Sequence, residues 1–222
     1  MHLRENLHVN KEQLRQLTQL VKQGEGTHLE FKRRASSPDQ IVREMIAFAN
    51  TAGGILLVGV SDDGDLSGVK YPDEESLVIK KAIVKFSRPH IVFTETIIPL
   101  SENKFVIQYE IPVSRKRPHF FRVSNRKQET YIRLRDMSMK ASREMSEIVR
   151  RGKAGKNIQF TYGDHEAALM KFLERNGKIT LPEFEVLSGL NNHDAAEILI
   201  TLVLANVVKI TPTDKGDFYS RI

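Results

Sequence analysis

Between Ile111 and Phe160 the sequence gathers the groups best suited to hold a polyanion. This stretch carries 14 Lys and Arg against 4 Asp and Glu, while residues 1–110 carry 14 against 15 and residues 161–222 carry 6 against 9. The whole basic excess of a chain with net charge +6 therefore sits in one segment. A basic block is ordinarily a solvated face. Here, however, Phe120, Phe121, Tyr131, Ile132 and Leu134 interleave the cations, so folded strands would hold them in place. Fixed cations suit a phosphate backbone, where neutralised charges release counterions and supply most of the affinity. The candidates within residues 115–143 are Arg115, Lys116, Arg117, Arg122, Arg126, Lys127, Arg133, Arg135 and Lys140. Phosphate contacts position a protein without reading bases, so weak sequence preference and steep salt dependence are expected. Phe120 and Phe121 offer rings for unpaired bases, although alternation along a strand sends at least one of them into a core.

The rest of the composition narrows the classes. The 222 residues are 40% hydrophobic and 28% charged, the balance of a folded soluble protein. Cysteine is absent, which removes disulfides and thiolate metal sites and suits a reducing, cytoplasmic setting. The polar stretch Met1–Asn10 has no apolar signal-peptide core, and runs such as Ile198–Ala205 are far too short to span a membrane. Phosphate-binding P-loop spacing is missing. Gly155-Lys156 is followed by Asn157, Arg150 stands where the first glycine belongs, and Gly53-Gly54 has no following lysine, so nothing supports an ATPase.

The elements that must position these cations can be read from periodicity. Asn10 caps a helix carrying Leu14, Leu17, Leu20 and Val21, with Gly24 after it. Thr27–Lys32 alternates as a strand, Pro38–Asn50 reads as a helix with Ile41, Met45, Ile46 and Ala49 inward, and Ile55–Val60 reads as a strand buried on both faces. A turn at Asp62-Asp63-Gly64-Asp65 and a helix near residues 73–86 follow. Strands are expected at 91–98, 104–113, 120–123 and 130–134, then a helix over 142–150 that closes the first domain. Residues 151–162 are expected to form a linker, separating domains at 1–150 and 163–222. The last sixty residues read as helices at 164–174, 182–187 and 194–204, a short strand at 178–180, and a hairpin of 207–211 with 217–221. That order describes a winged helix. Its third helix contains no Lys or Arg from Asn192 to Asn206, so although Asn191, Asn192 and His193 could touch bases, the domain is expected to make dimer or partner contacts.

Several short runs carry a family resemblance. They are Glu25 to Lys32 (Glu-Gly-Thr-His-Leu-Glu-Phe-Lys), Ala47 to Gly54 (Ala-Phe-Ala-Asn-Thr-Ala-Gly-Gly), Gly59-Val60 with Asp62-Asp63-Gly64 and Gly68, Tyr131-Ile132-Arg133, and Lys140-Ala141-Ser142. Across residues 24–150 the chain resembles the Schlafen AlbA-type domain, a group labelled DNA-binding or divergent AAA in bacterial proteins. The resemblance implies an α+β fold with a mixed sheet in the N-terminal domain, often joined to a small C-terminal winged helix. It implies nucleic-acid association, here DNA and transcription regulation first, and a homodimer. It also implies an alternative. In animal Schlafen proteins two glutamates five apart and a downstream aspartate form a metal-dependent endonuclease site, and Glu25, Glu30 and Asp62 occupy matching positions, with Asp63 a rival for the third ligand. Hard cations such as Mg²⁺ or Mn²⁺ take carboxylate oxygens and can activate water against structured RNA or DNA. Lys32, on the strand face of Glu30, would then hold a phosphate. The acids also have a plain structural reading: Glu25 favouring a turn, Glu30 paired with Lys32 or Arg33, and Asp62 and Asp63 as turn residues.

Overall fold

The structure, a computed structural model, describes residues 10–152 and 160–222. Residues 1–9 and most of the expected linker lie outside the described residues. The chain divides into two compact units, Met1–Lys140 and Ala141–Ile222.

The first unit opens with α1 (Lys11–Val21), whose first turn is capped as expected: Asn10 Oδ1 accepts from the Glu12 and Gln13 amides at 3.0 and 3.3 Å. Next come β1 (Leu29–Lys32), α2 (Pro38–Asn50), β2 (Gly54–Val58), α3 (Pro72–Phe86), β3 (Ser87–Arg88), β4 (Thr94–Ser101) and β5 (Lys104–Ile111). A mixed sheet forms in the order β1-β2-β5-β4, with β1 and β2 parallel across the α2 crossover and the other pairs antiparallel. Its two faces are covered by different helices. Leu29, Phe31, Leu57 and Val106 pack with Leu17 and Val21 of α1. Leu56, Val58, Ile107 and Tyr109 pack with Ile41, Met45 and Phe48 of α2 and Ile79 and Ile83 of α3. Cover on both faces is why the β2 sequence is a continuous apolar run.

A second sheet, in the order β3-β6-β7-β8, is formed by β3 with β6 (Phe120–Arg122), β7 (Gln128–Leu134) and β8 (Met137–Lys140). It packs on α2. Phe121, buried at 3% exposure, stacks on Phe86 at 5.0 Å and meets Tyr131 edge-on, while the Arg43 guanidinium lies 4.6 Å over its ring. Phe120 sits on the other face of β6, so alternation does bury one of the two phenylalanines. Neither β3 nor β8 is legible in the sequence. One has two residues, and the other reads Met-Ser-Met-Lys, with no apolar alternation beyond its methionines.

The run Phe48 to Gly54 is the joint between the layers. Asn50, 2% exposed, gives its Nδ2 protons to the His119 and Tyr131 carbonyls at 3.0 and 2.9 Å, and its Oδ1 accepts from the His119 amide at 2.7 Å. One amide side chain thus satisfies backbone groups of β7 and of the connection leading into β6, which burial would otherwise leave unpaired. Gly53 has φ +70 and abuts the Ile111 carbonyl, so a β-carbon there would stand 2.9 Å from that oxygen.

The second unit contains α4 (Arg143–Gly152), α5 (Asp164–Asn176), β9 (Lys178–Ile179), α6 (Leu181–Ser188), α7 (Asn192–Leu204), β10 (Val208–Thr211) and β11 (Phe218–Arg221). Its strands pair in the order β10-β11-β9, and Leu169, Leu173, Phe184, Leu199, Leu202 and Tyr219 form its core. The helix expected to close the first domain belongs here instead. Arg151 of α4 binds Glu197 of α7 through both guanidinium nitrogens at 2.8 and 2.7 Å, and the Ser142 hydroxyl bonds the Asp217 carboxylate. The division therefore falls after Lys140 rather than at 150, and Arg151 and Gly152 are helical.

Gly54 supplies a test of the packing. A β-carbon there would lie 2.4 Å from the ring of Phe48, which is fully buried. Gly54→Ala is expected to destabilise the protein by about 1–3 kcal/mol in urea unfolding. Gly26→Ala, where a β-carbon meets nothing within 4 Å, should stay within about 0.5 kcal/mol. Equal stabilities would contradict this packing.

Candidate nucleic-acid interface

The geometry of the acids decides what the cations are free to do. Glu30 lies on β1 facing the α2 side of the sheet and is only 6% exposed. The second sheet covers this face. Arg133 of β7 reaches in, and its Nη2 meets Glu30 Oε2 at 2.7 Å. The other Glu30 oxygen binds Lys32 Nζ, so both carboxylate oxygens are committed to cations.

Arg133 satisfies almost all of its donors in this pocket. Nη1 binds Glu44 Oε2 of α2 at 2.8 Å, Nε and Nη2 bind the Gly26 carbonyl at 3.1 and 2.8 Å, and Nη2 also approaches the Leu29 carbonyl at 3.2 Å. Its amide donates to Thr51 Oγ1 at 2.9 Å, and its guanidinium lies 5.0 Å over the Phe48 ring. Glu44 takes a further bond from the Ser138 hydroxyl, and burial pushes its carboxyl above the ordinary range. The Arg133 side chain is 1% exposed. It is therefore corrected from phosphate contact to internal tie. Sequence reading missed Glu44 and Ser138; the only signal was a charged residue at the edge of the buried α2 stripe.

Glu25 is exposed as a residue, yet its Oε1 accepts the Phe31 amide at 2.8 Å. Burial of the carboxyl raises its pKa, the Phe31 bond opposes that, and the neighbouring Glu30 and Asp62 carboxylates push it up further. The three acids thus share one electrostatic neighbourhood. Their donor set does not fit a hard divalent ion as it stands. Both Glu30 oxygens face cations, one Glu25 oxygen holds backbone, and among the described residues no group of three or more His, Asp or Glu is arranged to hold a metal. Asp63 bonds the Ser61 hydroxyl in the turn, which holds its carboxyl below the usual range.

The remaining cations are displayed on connections of the second sheet. Arg115, Lys116 and Arg117 lie in the segment before β6, Arg122 on β6, Arg126 and Lys127 in the connection to β7, and Arg135 in the two-residue turn between β7 and β8. Arg135 has φ +57, a left-handed turn conformation. Arg126 and Lys127 stand at one end of β7 and Arg135 at the other, and its seven residues span about 20 Å at strand rise, a length that meets several phosphates. Among the described residues Arg115, Lys116, Arg122, Arg126 and Arg135 have no carboxylate within ion-pair distance. Lys127 and Lys140 differ. Both bind Glu129 Oε1, at 3.3 and 3.0 Å, and with the Tyr131 hydroxyl they hold that carboxyl down at about 2.

In the second unit, α7 begins with side chains already in use. Asn191 Oδ1 caps the helix through the Asp194 amide at 3.0 Å, and Asn192 bonds Glu185 of α6. No helix among the described residues is long and apolar enough to cross a membrane.

Removing the internal tie should cost far more than removing a displayed cation. Arg133→Met leaves Glu30 and Glu44 buried without their cation and is expected to lower stability by about 3–5 kcal/mol in chemical denaturation. Adding Glu30→Gln and Glu44→Gln should recover part of that loss. Arg122→Gln should change stability by less than about 0.5 kcal/mol. An Arg133→Met loss as small as that of Arg122→Gln would contradict the network.

Comparison with known proteins agrees with the motifs that now have structural roles. A search of curated proteins finds no match. A crystal structure of the DIP2311 protein from Corynebacterium diphtheriae aligns over 95% of this chain at 16% identity and a TM-score of 0.44, the chain spanning 39% of that structure's length. The profile described as Schlafen, AlbA_2 matches residues 25–142, more than half of the sequence. Asn50 and Arg133, which tie the two sheets together, and the close-packed Gly53 and Gly54 all lie inside that match, and the chain belongs to the Schlafen AlbA_2 family.

Proposed function

We propose that the first unit binds nucleic acid through its phosphate backbone, with DNA as the polymer and transcription regulation as the setting. The observation that carries this reading is the contrast between committed and uncommitted cations. Arg133, Arg151 and Lys32 are spent on carboxylates, whereas Arg115, Lys116, Arg122, Arg126 and Arg135, carried by β6, its flanking connections and the β7–β8 turn, have no acidic partner among the described residues. Arg117 joins them, its guanidinium bonded only to the Ser114 carbonyl at 3.4 Å. Lys127 and Lys140 contribute positive potential while anchored to Glu129. Cations held by loop and strand geometry contact phosphates without paying much ordering entropy, and they read little sequence.

The second unit supports a winged-helix reading. Its order α5-β9-α6-α7 followed by the β10-β11 hairpin, with β9 completing the sheet, is that of a helix-turn-helix variant. Its α7 carries no Lys or Arg, and its first asparagines are occupied, so this unit organises the assembly rather than gripping the polymer. A homodimer would double the number of phosphates neutralised. Cleavage at Glu25, Glu30 and Asp62 is the rival reading. In its favour is the shared field of the three acids, and against it stand the two cations that hold Glu30.

Salt titration tests the grip. The variant Arg115→Gln/Lys116→Gln/Arg122→Gln/Arg126→Gln should bind duplex DNA about 100-fold more weakly at low salt. Its log–log salt slope should be shallower by about 3 to 4. Different duplex sequences should lose affinity alike. An unchanged slope in the variant, or strong discrimination between sequences in the parent protein, would overturn the reading.

A further inference from the structure

We propose that the trench between α1 and the first sheet is a docking groove for an extended peptide segment of a partner protein, one that carries a Lys or Arg. Helix α1 covers only half of its sheet face. Leu17 and Val21 pack on Leu29, Phe31 and Leu57 of β1 and β2. On β5 and β4 the same face turns polar, where Thr94 pairs with Glu110 and Thr96 with Gln108. Two cavities of about 450 and 440 Å³ occupy this uncovered half. Leu20, Gln23 and Glu110 border both, so the two form one continuous groove.

The helical wall is built to hydrogen-bond a chain. Gln13, Gln16, Gln19 and Gln23 of α1 are exposed, and at about 3.6 residues per turn they fall within about 120° of one another, on the flank that borders the groove. Among the described residues only Gln16 has its side-chain amide bonded, to Glu12 at 3.0 Å. Each free amide offers donors and an acceptor together, the complement of a peptide unit. From Gln13 to Gln23 the groove follows α1 for about 15 Å, room for about four to five residues of extended chain. Leu20 and Ile55, both half-buried against the core, supply an apolar strip beside the amides.

Charge names the occupant. Among the described residues no Lys or Arg borders the groove, which leaves it unsuited to a phosphate backbone, and no Phe, Tyr or Trp borders it to stack a base. Glu110 is its one carboxylate. That side chain is exposed, its Oε1 accepts from Gln108 Nε2 at 2.8 Å, and among the described residues no cation stands within ion-pair distance. A Lys or Arg of the incoming segment supplies the missing charge. Ile55 is the cross-strand neighbour of Glu110. Side chains on one face of an extended chain are two residues apart, so the favoured segment sets an apolar residue two positions from its Lys or Arg.

Panning a displayed library of random short peptides against the full chain, without nucleic acid, tests the groove independently of the phosphate-binding cations. A chain of net charge +6 attracts acidic peptides non-specifically, so enrichment of Lys or Arg two positions from an apolar residue is the expected and diagnostic result. Panned on Glu110→Lys, the same library should yield Asp or Glu at that position instead. The best peptide from the parent, made synthetically, should bind Gln19→Ala/Gln23→Ala and Glu110→Lys at least about tenfold more weakly in fluorescence anisotropy. Methylation of its backbone amides should weaken it likewise. All three substituted positions are exposed, so circular dichroism of the variants should match the parent. No enriched peptide, the same peptides enriched on both baits, or a best peptide indifferent to the glutamines would overturn the proposal. So would a parent chain that dimerises in sedimentation and is made monomeric by the peptide, since the groove would then belong to a second copy.

Discussion

The first unit depends on one buried guanidinium. Arg133 projects from the second sheet into the first, where it meets Glu30, two carbonyls of the segment entering β1, and Glu44 of the intervening helix. Two carboxylates around one arginine leave a buried excess of negative charge. Lys32 offsets it on one side, and burial raises the Glu44 pKa on the other. A hydrophobic contact could hold the sheets together, but it would not fix their register. Donors aimed at five separate acceptors allow one placement of β7 against β1, and the bonds of Asn50 to the β7 and His119 backbone enforce the same placement from the other side.

This constraint divides the charged residues into two populations. One is neutralised by acids: Glu30 with the buried Arg133 and with Lys32, Glu129 with the exposed Lys127 and Lys140, and Arg151 with Glu197. The other is external and of one sign, carried by the connections on either side of β6 and by the β7–β8 turn. Net charge alone does not make this distinction, since Arg133 and Arg135 are two residues apart and have opposite fates. The positive potential comes from what the fold leaves unneutralised.

Much of this was legible in the sequence, and the failures have physical reasons. Strong periodicity located α2 and α7 nearly to the residue, and the continuous apolar run of β2 announced a strand covered on both sides. At Glu30 the pairing with Lys32 was legible, but Arg133 was not, because nothing local announces the second layer that brings it across from 103 positions away. The boundary after Lys140 was hidden for a similar reason. A helix periodic in itself does not declare which core it joins, and α4 is assigned by Arg151 reaching Glu197. The basic segment was visible as composition, but which of its members are displayed required the fold. The asparagine and glycines of the Phe48–Gly54 run marked the family in the sequence, and the fold shows their use: Asn50 bonds the protein's own backbone, and the glycines allow close approach of Ile111 and Phe48.

Glu30 of β1 holds the fold while the free cations hold the polymer. The most direct measurement is incubation of the full chain with labelled tRNA, single-stranded DNA and duplex DNA, in Mn²⁺ or in chelator, beside Glu25→Ala/Asp62→Ala. That variant spares the Glu30–Arg133 pair, so loss of folding does not confuse the result. Intact nucleic acid is expected in every lane, shifted equally by both proteins, with or without metal. Cleavage that requires Mn²⁺ and disappears in the variant would contradict it and make the three carboxylates an active site.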